Sequence, residues 1–131
     1  ENTNNRLQKA GLAHIGKAIQ LDHAMLHTLV EPMSVDGIVF NFGYLPGADH
    51  ALFTTPKSSL PAVTAALQAL RPGGVLAACL YSGGPNGTEE KDTLLAFFRG
   101  LPIQQYNVLI CEFGNWASTA PLPCFVMKKN S

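Results

Sequence analysis

One stretch of the chain, residues 35–47, constrains the fold most, because an unbroken apolar run passes there directly into turn-forming residues. Residues 38–40 are Ile-Val-Phe without a polar side chain between them, a pattern that predicts a strand buried on both faces of a parallel sheet. The run ends at Asn41, and glycine and proline follow within a few residues. We therefore expect a polar amide at the carboxyl end of a buried strand, which is the edge where open α/β sheets bind ligands.

The following residues alternate between predicted helices and strands. Residues 75–81 form a second continuous apolar run and predict a second buried strand. A helix should precede it, with Ser58 as its cap and Pro61 in its first turn, because apolar residues recur there every three or four positions. Another helix is expected from Thr88 to about Gly100. Strands over residues 106–113 and 123–128 have a connection too short for a crossover helix, so they predict an antiparallel hairpin.

The amino-terminal residues are more polar. They predict a helix that ends with Gly11 in the left-handed conformation, then a short strand over residues 15–21 and a helix over residues 23–30. The whole alternation predicts one α/β domain over residues 1–131. Its sheet should be doubly wound and mostly parallel, with an antiparallel hairpin at the carboxyl end.

Charge and composition narrow the range of partners. The 131 residues carry nine Lys or Arg and nine Asp or Glu, so an RNA partner would need a local patch or another part of a larger protein. No apolar run approaches the roughly 20 residues of a membrane span. Three widely spaced cysteines predict reduced thiols and a cytoplasmic protein. His23 and His27 have the spacing of a zinc half-site, but no third ligand is evident, so we expect no metal.

Several segments resemble a known family. The sequence LRPGGVL between a predicted helix and a buried strand, with the closing hairpin, resembles the carboxyl-terminal half of class I S-adenosylmethionine-dependent methyltransferases. More narrowly, FNFGYLPGADHALFTTPKSSL and GTEEKDTLLAFF are similar to segments of the bacterial rRNA methylase family, and the similarity covers residues 4–129. Some members of that family are tRNA methyltransferases that act on the aminomethyl group of wobble-position 2-thiouridine.

The resemblance implies a Rossmann-like fold, S-adenosylmethionine as cofactor, and tRNA or rRNA as a substrate methylated on an amino nitrogen. The family's glycine-rich loop and the acidic residue after its second strand have no counterpart in these 131 residues, so we expect a fold truncated at its amino terminus. The truncation would expose an edge of the strand at residues 35–41, which either residues 15–21 or a second copy in a homodimer would cover. The alternative function is a non-catalytic α/β fragment or a binding or dimerisation domain.

The strand ends and the resemblance together assign candidate site residues. Asn41 would accept hydrogen bonds from the acceptor amine and Tyr44 would stack on the base, at a spacing that resembles the Asn-Pro-Pro-Tyr loop of amino-group methyltransferases. The alternatives are that Asn41 caps a turn and Tyr44 packs on the rim of the core. The cofactor-binding candidates are Asp22, His23, Asn41, Phe42 and Gly43. The substrate-binding candidates are Tyr44, Leu45, Pro46, Tyr81 and Ser82.

Three further features keep more than one interpretation. Asp22 either reaches the adenine amino group, as the resemblance implies, or caps the helix that follows, and the two roles can coexist. The charged residues 89–92 are interpreted as a solvated first helical turn. Trp116, in the connection between the last two strands, could stack on a base, contact a second copy or simply pack.

Overall fold

The computed structural model describes residues 2–12, 14, 30–42, 56–81, 87–117 and 120–130. In chain order the elements are α1 (Asn2–Lys9), β1 (Val35–Phe42), α2 (Pro56–Ala69), β2 (Leu70–Leu80), α3 (Gly87–Arg99), β3 (Tyr106–Ile110) and β4 (Leu122–Lys128). After α1 comes Gly11 with a φ of 73°, as predicted. The strand predicted over residues 15–21 and most of the helix predicted over residues 23–30 lie outside the described residues.

The described strands form one mixed sheet in the order β1-β2-β4-β3. β1 and β2 are parallel, with Phe40 opposite Ala78. β4 runs antiparallel to both β2 and β3, so the predicted carboxyl-terminal hairpin is confirmed. Because β1, β2 and β3 all point the same way, their carboxyl ends lie at one edge of the sheet.

β2 begins directly after α2, earlier than predicted. Residues 70–74 have the composition of a turn, but they belong to β2, and Leu70 pairs with Val35 of β1 across an irregularity in the register that precedes Val75. Two glycines allow this course. Gly73 adopts a φ of 86°, and a Cβ at Gly74 would lie 2.9 Å from the carbonyl oxygen of Asp36, so no larger residue fits between the strands.

α2 and α3 pack on the same face of the sheet, and this corrects the prediction that β1 and β2 are buried on both faces. Phe40 is buried, whereas its neighbour Val39 is 74% exposed. A strand is buried on both faces only where helices cover both, and within the described residues one face stays open. Besides Phe40, the core consists of Ala62, Val63, Ala66, Leu67, Leu70, Leu76, Ala78, Leu80, Leu94, Phe98, Leu122, Cys124 and Val126.

The ends of the helices and of β3 differ from their predicted positions. α2 begins at Pro56, so Ser58 lies inside the first turn and is not the cap. Proline suits the first helical position because its missing N–H has no intrahelical acceptor there. Pro61 consequently falls beyond the first turn, where its missing N–H removes one helical hydrogen bond. α3 begins at Gly87, and β3 already ends at Ile110.

A lysine from β4 holds the carboxyl end of α2. Lys128 Nζ donates hydrogen bonds to the carbonyl oxygens of Leu67, at 2.7 Å, and Leu70, at 2.8 Å. An ammonium group is favourable there because the last helical carbonyls lack partners and carry the negative end of the helix dipole. Partial burial lowers the pKa of Lys128 from its ordinary value. The contact fixes α2 against the sheet and so positions the start of the helix at the opposite edge.

Candidate functional site

The candidate site lies at the carboxyl edge of the sheet. The carboxyl ends of β1, β2 and β3 meet at this edge. α2 runs directly into the start of β2, so the beginning of α2, at Pro56, is near the opposite, carboxyl edge. α3 leads to the start of β3 in the same way, so both helices begin near the site. Open α/β sheets bind their ligands at this edge.

Asn41 and Tyr81 come together at this edge, on the face of the sheet that α2 and α3 leave open. Asn41 lies opposite Cys79 in the parallel pairing, and Tyr81 follows Cys79 by two residues, so all three side chains point to the same face. Asn41 is exposed and Tyr81 is half-buried. The structure therefore brings together one candidate of the catalytic set and one of the substrate-binding set.

Tyr81 is held in its protonated form. A hydrogen bond with Cys79 raises the pKa of Tyr81 above the ordinary value of 10.0, and the negative charge of an ionised Cys79 and burial raise it further. The phenol hydroxyl is thus a hydrogen-bond donor at neutral pH and not a base.

A shallow apolar depression lies beside Asn41 on the open face. Its volume is about 150 Å³, and Val39, Ala77 and Phe125 are among the residues that line it. The amide of Asn41 is the polar side chain at its rim. An apolar hollow with one polar group at its edge is the usual make-up of a small-molecule site, although this one is small for a whole ligand.

A buried hydrogen bond links the two helices behind the site. Glu90 of α3 is 1% exposed and accepts a hydrogen bond of 2.5 Å from Ser59 Oγ of α2. This corrects the interpretation of residues 89–92 as a wholly solvated turn. The signal was present in the sequence, because Glu90 lies four and eight residues before Leu94 and Phe98, on the buried face of the helix.

Two aromatic rings lie beyond the end of β3 at the same edge. Phe113 and Trp116 are stacked, with ring centroids 4.6 Å apart and planes inclined by 22°. Both side chains are exposed to about half of their surface, at 47% and 58%. Stacking on a base, contact with a second copy and simple packing all remained open for Trp116 from the sequence, and Phe113 was predicted to end the third strand, so the pair was not predicted.

The remaining predicted site residues are only partly covered by the structure. Phe42 ends β1, and its backbone lies opposite Leu80. The predicted residues outside the described ranges are Asp22, His23, Gly43, Tyr44, Leu45, Pro46 and Ser82.

Comparison with known proteins assigns the family. Residues 1–127 match the model of the family described as "Putative rRNA methylase". The chain belongs to this family. The predicted resemblance is thereby confirmed, and with it the Rossmann-like α/β fold class, because the solved structures that the chain matches are methyltransferases.

One relative outside bacteria has a defined substrate in its name. The chloroplastic "tRNA (mnm(5)s(2)U34)-methyltransferase" of Arabidopsis thaliana is 33% identical over 117 residues. These residues are 88% of this chain and 42% of that protein, so the chain spans less than half the length of this relative.

Two solved structures share the fold closely. A "putative rRNA-methylase" of Clostridium thermocellum superposes with a TM-score of 0.88 at 30% identity, over 97% of this chain and 68% of that one. A "putative methyltransferase" of Streptococcus mutans, solved in complex with SAH, has a TM-score of 0.79 at 29% identity, over 96% of this chain and 68% of that one.

The described part of this family member offers neither a membrane span nor a metal centre. No helix within those ranges is long and apolar enough to cross a membrane. In the same ranges, no three His, Cys, Asp or Glu side chains converge as metal ligands. His23 and His27 lie outside them.

Proposed function

We propose that this protein is an S-adenosylmethionine-dependent RNA methyltransferase that methylates an amino nitrogen of a modified base. The observation that carries the proposal is the position of Asn41, exposed at the carboxyl end of β1 beside Tyr81, in a chain that belongs to the rRNA methylase family. The three free cysteines fit a reducing compartment such as the cytoplasm.

The residues present fit one side of a cofactor site. S-adenosylmethionine, when bound, supplies a methyl group activated on a sulfonium. The exposed end of β1, with the Asn41 amide and the backbone of Phe42, offers polar groups at the ligand edge next to an apolar hollow. Asp22, His23 and Gly43 are the further cofactor contacts that we propose from the sequence. The likeness to the Streptococcus mutans protein in complex with SAH supports this cofactor.

The proposed work of the chain is to hold and orient an amine. Methyl transfer requires a neutral amine whose lone pair points at the methyl group, so positioning contributes much of the rate. The Asn41 side-chain oxygen can accept an N–H of the amine and so fix the direction of the lone pair. Tyr81 keeps its proton at neutral pH and shares it with Cys79, so it is not the base, and the proton that the amine loses passes to water. Tyr44 is the proposed stacking partner of the acceptor base, with Leu45, Pro46 and Ser82 beside it.

The acceptor that we propose is the aminomethyl group of a wobble-position uridine in tRNA. The support is the name of the Arabidopsis relative, which specifies tRNA, position 34 and a methylaminomethyl-thiouridine product. An rRNA acceptor is the competing possibility within the same reaction class, because the family carries that description.

The experiment is nucleoside analysis of RNA treated with the complete gene product that carries this sequence. Unmodified and aminomethylated tRNA and rRNA are incubated with the protein and S-adenosylmethionine, then digested and analysed by mass spectrometry. We expect a gain of one methyl group on the aminomethyl-thiouridine nucleoside of tRNA alone. Methylation of rRNA alone would overturn the choice of substrate. No methyl transfer to either RNA would overturn the proposed enzyme and favour a binding or dimerisation domain.

A further inference from the structure

The exposed pair of Phe113 and Trp116 has a geometry that packing alone does not require. Their rings are nearly parallel, yet each side chain leaves about half of its surface in water, at 47% and 58% exposure. Stacking holds both rings in one orientation, so their flat faces are ordered before any partner arrives. Large exposed apolar groups that cluster in this way commonly mark an interaction site.

A groove runs beside the aromatic pair, between α3 and the connection from β3 to β4. Its volume is about 390 Å³, and its floor includes Leu95 and Leu122. Lys91 and Glu112 lie at its sides. The groove therefore combines an aromatic wall, an aliphatic floor and polar groups at the margin, which is the composition that single nucleobases meet in proteins that bind unpaired RNA.

The charges around the groove favour stacking on a base over binding of phosphate groups. Lys91 is flanked in α3 by Glu89 and Asp92, and Glu112 is on the other side. The surroundings are thus not basic, and a protein that held RNA here through its phosphates would need several cations. Contact with the face of a base needs no cation.

The position of the pair fits a nucleotide near the methylated one. β3 and β1 are the two outer strands of the described sheet, three strand spacings apart, which is roughly 14 Å. The pair extends from the end of β3, at the same edge as Asn41 at the end of β1. The Asn41 side chain is on the open face and the groove is on the side of α3, so the two sites are at least this far apart. One base cannot touch both sites, but two nucleotides of the same single-stranded loop can.

We propose that Phe113 and Trp116 form a platform on which an unpaired nucleobase of the RNA substrate stacks, at a nucleotide close to the methylated one in the same loop. This inference rests on the proposed function, because it takes RNA as the substrate. It adds a substrate contact at the carboxyl edge that acts on affinity for the RNA loop and not on the chemical step.

Trp116 is itself the probe for the test, because it is the one tryptophan of these 131 residues. Its fluorescence is followed while an anticodon stem–loop oligonucleotide, or a fully paired RNA duplex as control, is added to the protein. We expect saturable quenching by the stem–loop, little change with the duplex, and a weak dependence of this quenching on salt. Both Trp116 variants lack this fluorophore, so wild type and variants are compared by the fluorescence anisotropy of a dye-labelled stem–loop. Trp116→Ala should weaken stem–loop binding roughly 5- to 100-fold, and Trp116→Phe should retain most of it, since stacking on any aromatic ring contributes comparably.

A matched control separates stacking from general loss of apolar surface. Ile103 is 68% exposed before β3, at the other edge of the sheet, so Ile103→Ala should leave stem–loop affinity unchanged. Methyl transfer is then measured on two acceptors, the stem–loop and the free aminomethyl-thiouridine nucleoside. We expect Trp116→Ala to raise KM for the stem–loop alone, with kcat on both acceptors within about twofold of the wild type.

The outcomes distinguish this inference from the proposed function. If the wild type methylates the stem–loop and Trp116→Ala does so with unchanged KM, the platform is wrong while the methyltransferase stands. If the wild type neither binds nor methylates RNA, the proposed function fails and the platform with it. Quenching that depends on protein concentration without RNA would identify a second copy as the occupant and overturn the platform.

Discussion

Tyr81 makes a residue-scale prediction about the pH dependence of activity. The rate should rise with pH as the acceptor amine loses its proton, since only the neutral amine has a free lone pair. The pKa of Tyr81 is raised from its ordinary value of 10.0, so its ionisation should not reduce the rate near pH 8 or 9. We expect kcat to rise with pH and to show no descending limb up to about pH 9. A descending limb near pH 8 or 9 that disappears in Tyr81→Phe would contradict the assignment of Tyr81 as a permanent donor.

Ser59 gives a second residue-scale prediction, about stability. Ser59→Ala removes the hydrogen bond to the buried carboxylate of Glu90, so we expect the free energy of unfolding to fall by about 1–3 kcal/mol. Thr64→Ala in the same helix is the matched control. Thr64 is exposed and its hydroxyl bonds only the Leu60 carbonyl oxygen one turn back, so the change should be near zero. Denaturant unfolding measures both, and an equal effect of the two would remove the special role of the Ser59–Glu90 bond.

At the residue scale, the sequence predicted polar groups at strand ends better than it predicted burial. Asn41 and Tyr81 lie at the ends of neighbouring strands because both positions follow from where apolar runs stop, which is a local signal. The exposure of Val39 was not predicted, since a run of three apolar residues does not indicate whether helices cover one face of the sheet or both. The burial of Glu90 was not predicted, because acidic side chains in a first helical turn are usually solvated.

The passage from α2 into β2 makes the element-scale prediction. Gly74→Ala would place a methyl group 2.9 Å from the carbonyl oxygens of Asp36 and Arg71, which belong to backbone and cannot move aside. We expect the free energy of unfolding to fall by about 1–3 kcal/mol. Gly37→Ala in β1 is the control, because the nearest atom, the Val75 carbonyl oxygen, would be at an ordinary 3.6 Å. Thermal unfolding of both variants is the measurement, and a Gly74→Ala protein as stable as Gly37→Ala would contradict the tight crossing.

Element type was predictable where a pattern repeats, and element ends were not. The hairpin of β3 and β4 followed from the length of its connection alone. The start of β2 was missed because a Pro-Gly-Gly sequence is typical of a turn, and only the pairing of Leu70 with Val35 reveals that the strand begins before it. The start of α2 was missed because proline and serine both favour the first positions of a helix. The helix begins at Pro56 and not after Ser58.

For the whole molecule, the prediction concerns the outer edge of β1. Among the described strands β1 pairs with β2 alone, and an apolar strand with an open edge tends to associate. We expect this edge to be paired in solution, by another segment of the chain or by a second copy in a homodimer. Light scattering distinguishes the two, and hydrogen exchange of the β1 amides shows whether the edge is paired. A monomer in which alternate β1 amides exchange as fast as unfolded chain would contradict both.

The fold class was predictable as a whole because the alternation of helices and strands extends over most of the chain. The aromatic pair beyond β3 was not predictable, because Phe113 joins Trp116 only through the path of an irregular connection. Periodicity carries no information about such a path.

The central claim is that Asn41 orients the acceptor amine, and steady-state kinetics of Asn41→Ala in the complete gene product test it most directly. Asn107, an exposed asparagine near the start of β3 and far from the site edge, provides the control Asn107→Ala. We predict that Asn41→Ala lowers kcat roughly 100-fold while the Kd for S-adenosylmethionine changes by less than about threefold, and that Asn107→Ala changes neither. Equal losses of kcat and cofactor affinity in Asn41→Ala, or wild-type turnover, would contradict the account.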